Sequence, residues 1–315
     1  MRAVATSRPS MTPLSARDAA LLTVPPLLWA GNAVTGRLLA ETVPPLFLNL
    51  ARWVLALAIL LPLGWLALGT PARRAEIAAR WRPLALLGLL GVGAYNALQY
   101  LALQTSTPIN VTLIASSVPI WTMAVGALFY GERIRGRQWL GALLSIAGVL
   151  LVLLRGDPSR IAQLHLVPGD FWVLLAALSW AFYSWQLARP PALLAGDQRP
   201  AWTWSEQLLV QVIFGLFWAG AAAGGEALVS DHALRFTPLL VPALLFIAIG
   251  PSIIAYRCWG LGVAAAGPAT AGFFSNLTPL FAALLSAALL GEAPQLFHGA
   301  AFVLIVAGIV VSSRR

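Results

Sequence analysis

Ten runs of roughly twenty apolar residues follow one another along this chain, at about 19–40, 44–69, 84–104, 107–130, 136–154, 170–188, 204–229, 237–263, 267–290 and 296–313. A helix needs about 20 apolar residues to cross a bilayer. Only helices and closed barrels satisfy their backbone there. The links are short and rich in Pro, Gly and Arg, so consecutive runs must turn back on one another in an up-and-down bundle. Composition agrees: 59% of the 315 residues are hydrophobic and 10% charged, where a soluble domain carries about a quarter charged residues. The expected class is an all-α integral membrane protein of ten transmembrane helices.

Part of the chain occurs twice. Val118-Pro119-Ile120-Trp121, Gly131-Glu132 and Ala147-Gly148 return as Thr278-Pro279-Leu280-Phe281, Gly291-Glu292 and Ala307-Gly308, each shifted by the same 160 positions; Pro108 and Pro268 share that register. The first and sixth runs share Trp29-Ala30 and Trp180-Ala181, and Tyr95 in the third corresponds to Tyr256 in the eighth with a slip of one residue. The second and seventh match poorly. The pattern reads as a duplication of about 150 residues.

Charge sets the topology. All 20 basic residues are arginines, and arginine marks cytoplasmic loops. One set of alternate links and ends holds fourteen of them: Arg2, Arg8, Arg17; Arg73, Arg74, Arg80, Arg82; Arg133, Arg135, Arg137; Arg189, Arg199; Arg314, Arg315. The opposite links hold Arg155, Arg160 and Arg235. Both termini are therefore expected in the cytoplasm. The arginines after Glu132 are replaced after Glu292 by Ala293, Gln295 and Phe297, so the two copies are expected to lie upside down relative to each other, as in inverted-repeat transporters. The expected organisation is a cytoplasmic tail 1–18, a first five-span repeat 19–154 and an inverted second repeat 170–313. Topology, rather than nucleic acid, accounts for the net charge of +9. Cys258 is the only cysteine, so no internal disulfide can form. The first apolar run is too long for a signal peptide and lacks a clear cleavage site; it is expected to be retained.

Transporters of this design hold solute between the repeats near the midplane, which directs attention to polar and aromatic residues inside the spans. Trp29 and Asn32 share a helix face in the first span, Tyr95 and Gln99 in the third (with Asn96 and Tyr100 on an adjacent stripe), Trp180, Tyr183 and Ser184 in the sixth, and Ser252 and Tyr256 in the eighth. Asn276 lies three residues before Pro279. The expected solute-binding set is Trp29, Asn32, Tyr95, Gln99, Trp180, Tyr183, Ser252, Tyr256 and Asn276. Pro119 and Pro279 stand about ten residues into their spans, where a proline frees a carbonyl; they are expected hinges or static kinks. Arg52 and Arg257 lie inside spans and can pair with a solute carboxylate or snorkel to headgroups.

Every acidic residue falls in a loop or near a span end. Proton coupling through a buried acid is therefore not expected, and the solute is expected to be neutral, zwitterionic or weakly anionic. Enzyme chemistry finds no footing. His165, His232 and His298 lie in loops or at span ends, no His/Cys/Asp cluster suits a metal, and no phosphate-binding loop is present. No cofactor is expected; the partners are a small solute and the bilayer, and a monomer is plausible.

The Trp-Ala-Gly-Asn at 29–32, Arg52, and the Pro…Gly-Glu…Ala-Gly strings at 119–148 and 279–308 together resemble the drug/metabolite transporter superfamily, in particular its ten-span EamA-type members and their YddG-like amino-acid exporters. The resemblance runs from about residue 19 to 313. It implies a bacterial inner-membrane secondary transporter, exporting amino acids or related metabolites by alternating access through a cavity between the repeats. The alternatives are an exporter of drugs or toxic compounds and a non-transporting receptor or scaffold of the same fold.

Overall fold

The computed structural model describes residues 14–106, 108–163, 165–290 and 295–313; Glu292, singled out above, lies outside them. Among the described residues the structure is helical, with no strand. The principal helices are α1 (Ala16–Leu39), α2 (Pro45–Gly64), α3 (Pro71–Ala79), α4 (Trp81–Gly88), α5 (Tyr95–Ala102), α6 (Pro108–Ala115), α7 (Val118–Tyr130), α8 (Gly136–Leu153), α9 (Pro168–Ala188), α10 (Trp204–Val229), α11 (Leu240–Ile247), α12 (Ala255–Ala266), α13 (Pro268–Phe274), α14 (Leu277–Leu290) and α15 (Leu296–Ser313). A π-helical stretch, Leu89–Ala94, joins α4 to α5, and a second, Ala248–Ile254, joins α11 to α12.

Eight helical segments among the described residues are long and apolar enough to cross a membrane, against the ten runs read from the sequence. The other two runs correspond to α1 and to α13–α14, a pair of helices separated at Ser275 and Asn276. Leu63, Phe129, Leu143, Phe217 and Val303 are exposed on the outside of the bundle, an apolar surface that a water-soluble monomer would rarely carry.

The two repeated prolines start helices instead of kinking one. Pro119 is the second residue of α7 and Pro279 the third of α14. The missing N–H thus falls in a first turn, where no intrahelical partner is needed. The break before α7 is closed by Ser116 and Ser117, whose hydroxyls donate to the carbonyls of Leu113 and Ile114 at 2.6 and 2.5 Å.

The described acids serve helix ends or loops. Glu226 accepts the N–H groups of Leu46 and Phe47 at the start of α2 (3.1 and 2.9 Å), which favours negative charge. Glu206 and Thr203 cap α10 reciprocally, and Arg73 pairs with Glu206 at 2.5 Å. Glu132, just past the end of α7, pairs with Arg189; Gln138 accepts the Arg135 N–H at the start of α8. Asp170 is buried in the first turn of α9, where it accepts from the Val167 N–H and Asn110 Nδ2 (each 2.9 Å) and from the Ser106 hydroxyl. Asp170→Ala strands these donors, so it is expected to cost about 2–3 kcal/mol, read as a lower unfolding midpoint of the detergent-solubilised protein; Asp170→Asn should recover part of the loss.

Packing pairs helices from the two ends of the chain. α8 lies along α15, α2 along α10, α1 against α12 and α14, α9 against α5 and α7, and α7 against α13. The α8–α15 contact is backbone-close: a Cβ on Gly308 would lie 2.2 Å from Ser145 Oγ and 2.6 Å from the Gly141 carbonyl oxygen.

Candidate solute site

Six aromatic side chains from α1, α5, α9 and α12 meet in the middle of the bundle around Trp180. Its ring touches Tyr95 (centroids 4.4 Å apart), Tyr183 (4.9 Å), Trp29 (5.0 Å, edge-on), Trp259 (5.4 Å) and Tyr256 (5.6 Å). Trp53 of α2 stands edge-on to Tyr256 at 5.1 Å. Such tilted and edge-on pairs are the arrangements that ring quadrupoles favour. Close approach depends on Gly91 in the first π-helical stretch, where a Cβ would lie 2.6 Å from the Tyr183 ring.

Most polar tips of this layer are engaged. Trp29 Nε1 donates to the Pro251 carbonyl (3.3 Å), Trp259 Nε1 to Ser184 Oγ (3.2 Å), and Tyr256 to the Gly91 carbonyl. Tyr183 and Gln211 are hydrogen-bonded at 3.1 Å. Trp180 Nε1 is different: it is buried at the centre and has no hydrogen-bond partner among the described residues, as is also true of Trp53 Nε1 and of both side-chain polar atoms of Asn276. An unmet buried donor is costly, and its place in the middle of the layer offers a solute an acceptor-seeking N–H.

Arg52 lies at one edge of the layer. Its guanidinium is 0% exposed, so it does not snorkel. Nε and Nη2 donate to Ser252 Oγ (3.0 and 2.8 Å), and Nη1 donates to Asn32 Oδ1 (3.2 Å) and the Tyr100 hydroxyl (3.1 Å). Arg257, by contrast, is half-buried over the Trp204 ring.

At the other edge a cavity of about 1320 Å3 opens between the ends of α7, α9, α12 and α15. Its charged lining is Glu132, Arg133, Arg135, Arg137, Arg189 and Arg199, and its apolar lining includes Leu87, Met123, Trp185 and Val263. Arg189 ties two of these helix ends together, bonding to the Tyr130 carbonyl at 2.7 Å and lying over Trp185, which itself stacks on Tyr130 at 4.8 Å.

The residues expected from the sequence to line a midplane cavity therefore fall into four places. Trp29, Tyr95, Trp180, Tyr183 and Tyr256 pack against one another in the aromatic layer. Asn32 and Ser252 hold Arg52. Gln99 lies beside the Tyr95 hydroxyl, and Asn276 is buried at the α13–α14 break. None of the nine lines the cavity, whose wall comes from residues near helix ends. Sequence reasoning missed Trp53, Trp259 and Gln211. Trp259 had a usable signal, since it lies three residues beyond Tyr256 on the same helix face.

Comparison with known proteins agrees with the geometry. The profile of the EamA-like transporter family matches residues 19–154 and 167–314. A transporter of Archaeoglobus fulgidus, itself uncharacterized, is 26% identical over 94% of this chain and 96% of its own length. The aromatic amino acid exporter YddG of Ancylobacter novellus is 26% identical over 73% of this chain and 76% of its own. A crystal structure with 24% identity has the same fold, with a TM-score of 0.71 over 93% of this chain and 95% of the other. The chain is a multi-pass membrane transporter rather than an enzyme, and it belongs to the EamA-like transporter family.

Proposed function

We propose that this transporter moves amino acids or related small metabolites with apolar or aromatic side chains out of the cytoplasm by alternating access, in a bacterial inner membrane. The observation that carries the reading is the buried aromatic layer, assembled from both ends of the chain around the unmet Trp180 Nε1–H and standing beyond a basic cavity. Aromatic faces receive apolar and aromatic groups, and the arginine-lined mouth favours zwitterions and weak anions over cations. The name of the Ancylobacter relative, an aromatic amino acid exporter, points the same way.

Ten spans in two inverted five-span halves fit this reading. Counting α1 and α13–α14 as crossings restores ten. Several helix pairings then recur when the halves are exchanged: α1–α12 corresponds to α9–α5, α1–α14 to α9–α7, and α2–α10 and α8–α15 map onto themselves. With both termini in the cytoplasm, the basic cavity faces inward and the aromatic layer closes the route outward. Pro119 and Pro279 begin the segments on which that route can hinge. Among the described residues no carboxylate lies mid-span to couple protons, and the proposed path lies within one chain, so a monomer suffices.

Proteoliposomes loaded with radiolabelled phenylalanine, tyrosine, leucine and alanine test the transport claim. Saturable efflux above protein-free vesicles is expected for at least one of the first three, and flux indistinguishable from the control for all four would overturn it. Single cysteines at positions 132 and 292, in a Cys258→Ser background, test the inversion: a membrane-impermeant maleimide should reach them from opposite sides.

A further inference from the structure

Arg52 is a fully buried charge. Among the described residues, no carboxylate forms an ion pair with it. Its partners, the Ser252 and Tyr100 hydroxyls and the Asn32 amide oxygen, are all neutral, and the Trp53 ring, 5.3 Å away, adds a cation–π contact. Neutral dipoles solvate a guanidinium but leave its charge in place, and arginine cannot escape by deprotonating. A buried ionisable group inside a membrane marks a site whose counter-charge must be sought.

The surroundings are built to hold this charge. Pro251 has no N–H to offer the Ile247 carbonyl, and the Ser252 hydroxyl donates to that carbonyl instead, at 2.7 Å. The lone pairs of Ser252 Oγ are thereby turned to Arg52, where a single oxygen takes both Nε and Nη2. That edge of a guanidinium matches the two oxygens of a carboxylate. Asn32 and Tyr100, the other acceptors, are also bonded to each other at 3.0 Å, so the Tyr100 hydroxyl keeps a partner when Arg52 turns to another.

Position completes the argument. Asn32 lies one turn from Trp29 in α1, and Ser252 one turn from Tyr256. Along the same span, Val263 in the cavity wall is eleven residues beyond Ser252, roughly 16 Å at the helical rise. The order is cavity, aromatic layer, Arg52. A solute with an apolar body and one anionic end, coming from the cavity, lays its body among the rings and presents its anion to the guanidinium.

We infer that Arg52 is the carboxylate receptor of this transporter: the solute's carboxylate replaces Ser252, Asn32 and Tyr100 on the guanidinium, and its apolar side chain occupies the aromatic layer. This rests on the amino-acid reading above and adds that the carboxylate, not the amine, is the group required.

Equilibrium binding to the purified protein separates the two claims, using L-phenylalanine, 3-phenylpropanoate (no amine) and 2-phenylethylamine (no carboxylate). Phenylalanine and phenylpropanoate should bind, and the amine should bind about tenfold more weakly or worse, as the loss of a charge-assisted hydrogen bond implies. Asn32→Asp supplies Arg52 with an internal carboxylate. It should fold with an unchanged or higher unfolding midpoint, yet bind phenylpropanoate about tenfold or more weakly. Equal binding of acid and amine overturns the Arg52 assignment and leaves the amino-acid reading standing; so does a folded Asn32→Asp protein with undiminished affinity. Binding of none of the three overturns both. Should Asn32→Asp fail to fold, the ligand series alone decides.

Discussion

Trp180→Ala is expected to abolish solute efflux from proteoliposomes and to destabilise the protein by about 3–5 kcal/mol, the usual cost of emptying a buried tryptophan site. The ring is fully buried and touches five other aromatic rings, so its removal opens a void where α1, α5, α9 and α12 meet. The alanine variant alone confounds packing with recognition. Trp180→Phe divides them: it keeps an aromatic ring but deletes the unmet Nε1–H. It should retain most of the stability, within about 1–2 kcal/mol, while efflux falls roughly tenfold, the worth of one buried hydrogen bond. Unfolding midpoints in detergent and initial efflux rates give the two readouts. Undiminished efflux in a folded Trp180→Ala protein would remove the aromatic layer from the transport route.

The sequence made the helices legible because hydrocarbon-length apolar runs have few other folded forms, and the repeat drew attention to Trp29, Tyr95, Trp180 and Tyr256, which the structure gathers into one layer. Three features were hidden, each for a physical reason. The π-helical stretches 89–94 and 248–254 depend on one extra residue per turn, which leaves no mark on hydropathy. Pro119 and Pro279 sit within long apolar runs, and only the turns at 116–117 and 275–276 place them in first turns. The closed packing of the layer could not be read because the same spacing of rings on a helix face serves an open chamber and a filled one. Arg52 stood out as a charge inside a span, but that no described carboxylate pairs with it is a fact of three dimensions.

Gly308→Val is the second large effect. The first added carbon would overlap Ser145 Oγ and the Gly141 carbonyl, and at least one contact is backbone, which cannot rotate away. A loss of about 3 kcal/mol is expected, at or beyond the upper end for overpacking. Gly299→Val, on the same helix but with no atom within 4 Å of the added carbon, should change the midpoint little. Equal effects of the two substitutions would show that the α8–α15 contact is looser than its geometry.

That contact also limits how the molecule can move. Two helices whose backbones touch through glycine can swivel about the line of contact, but they lose their attraction steeply on separation, because dispersion fades within an ångström. Any rocking of one half against the other would therefore turn about this contact, and about the α2–α10 contact as well, where a Cβ on Gly64 would lie 2.9 Å from the Ser205 carbonyl oxygen.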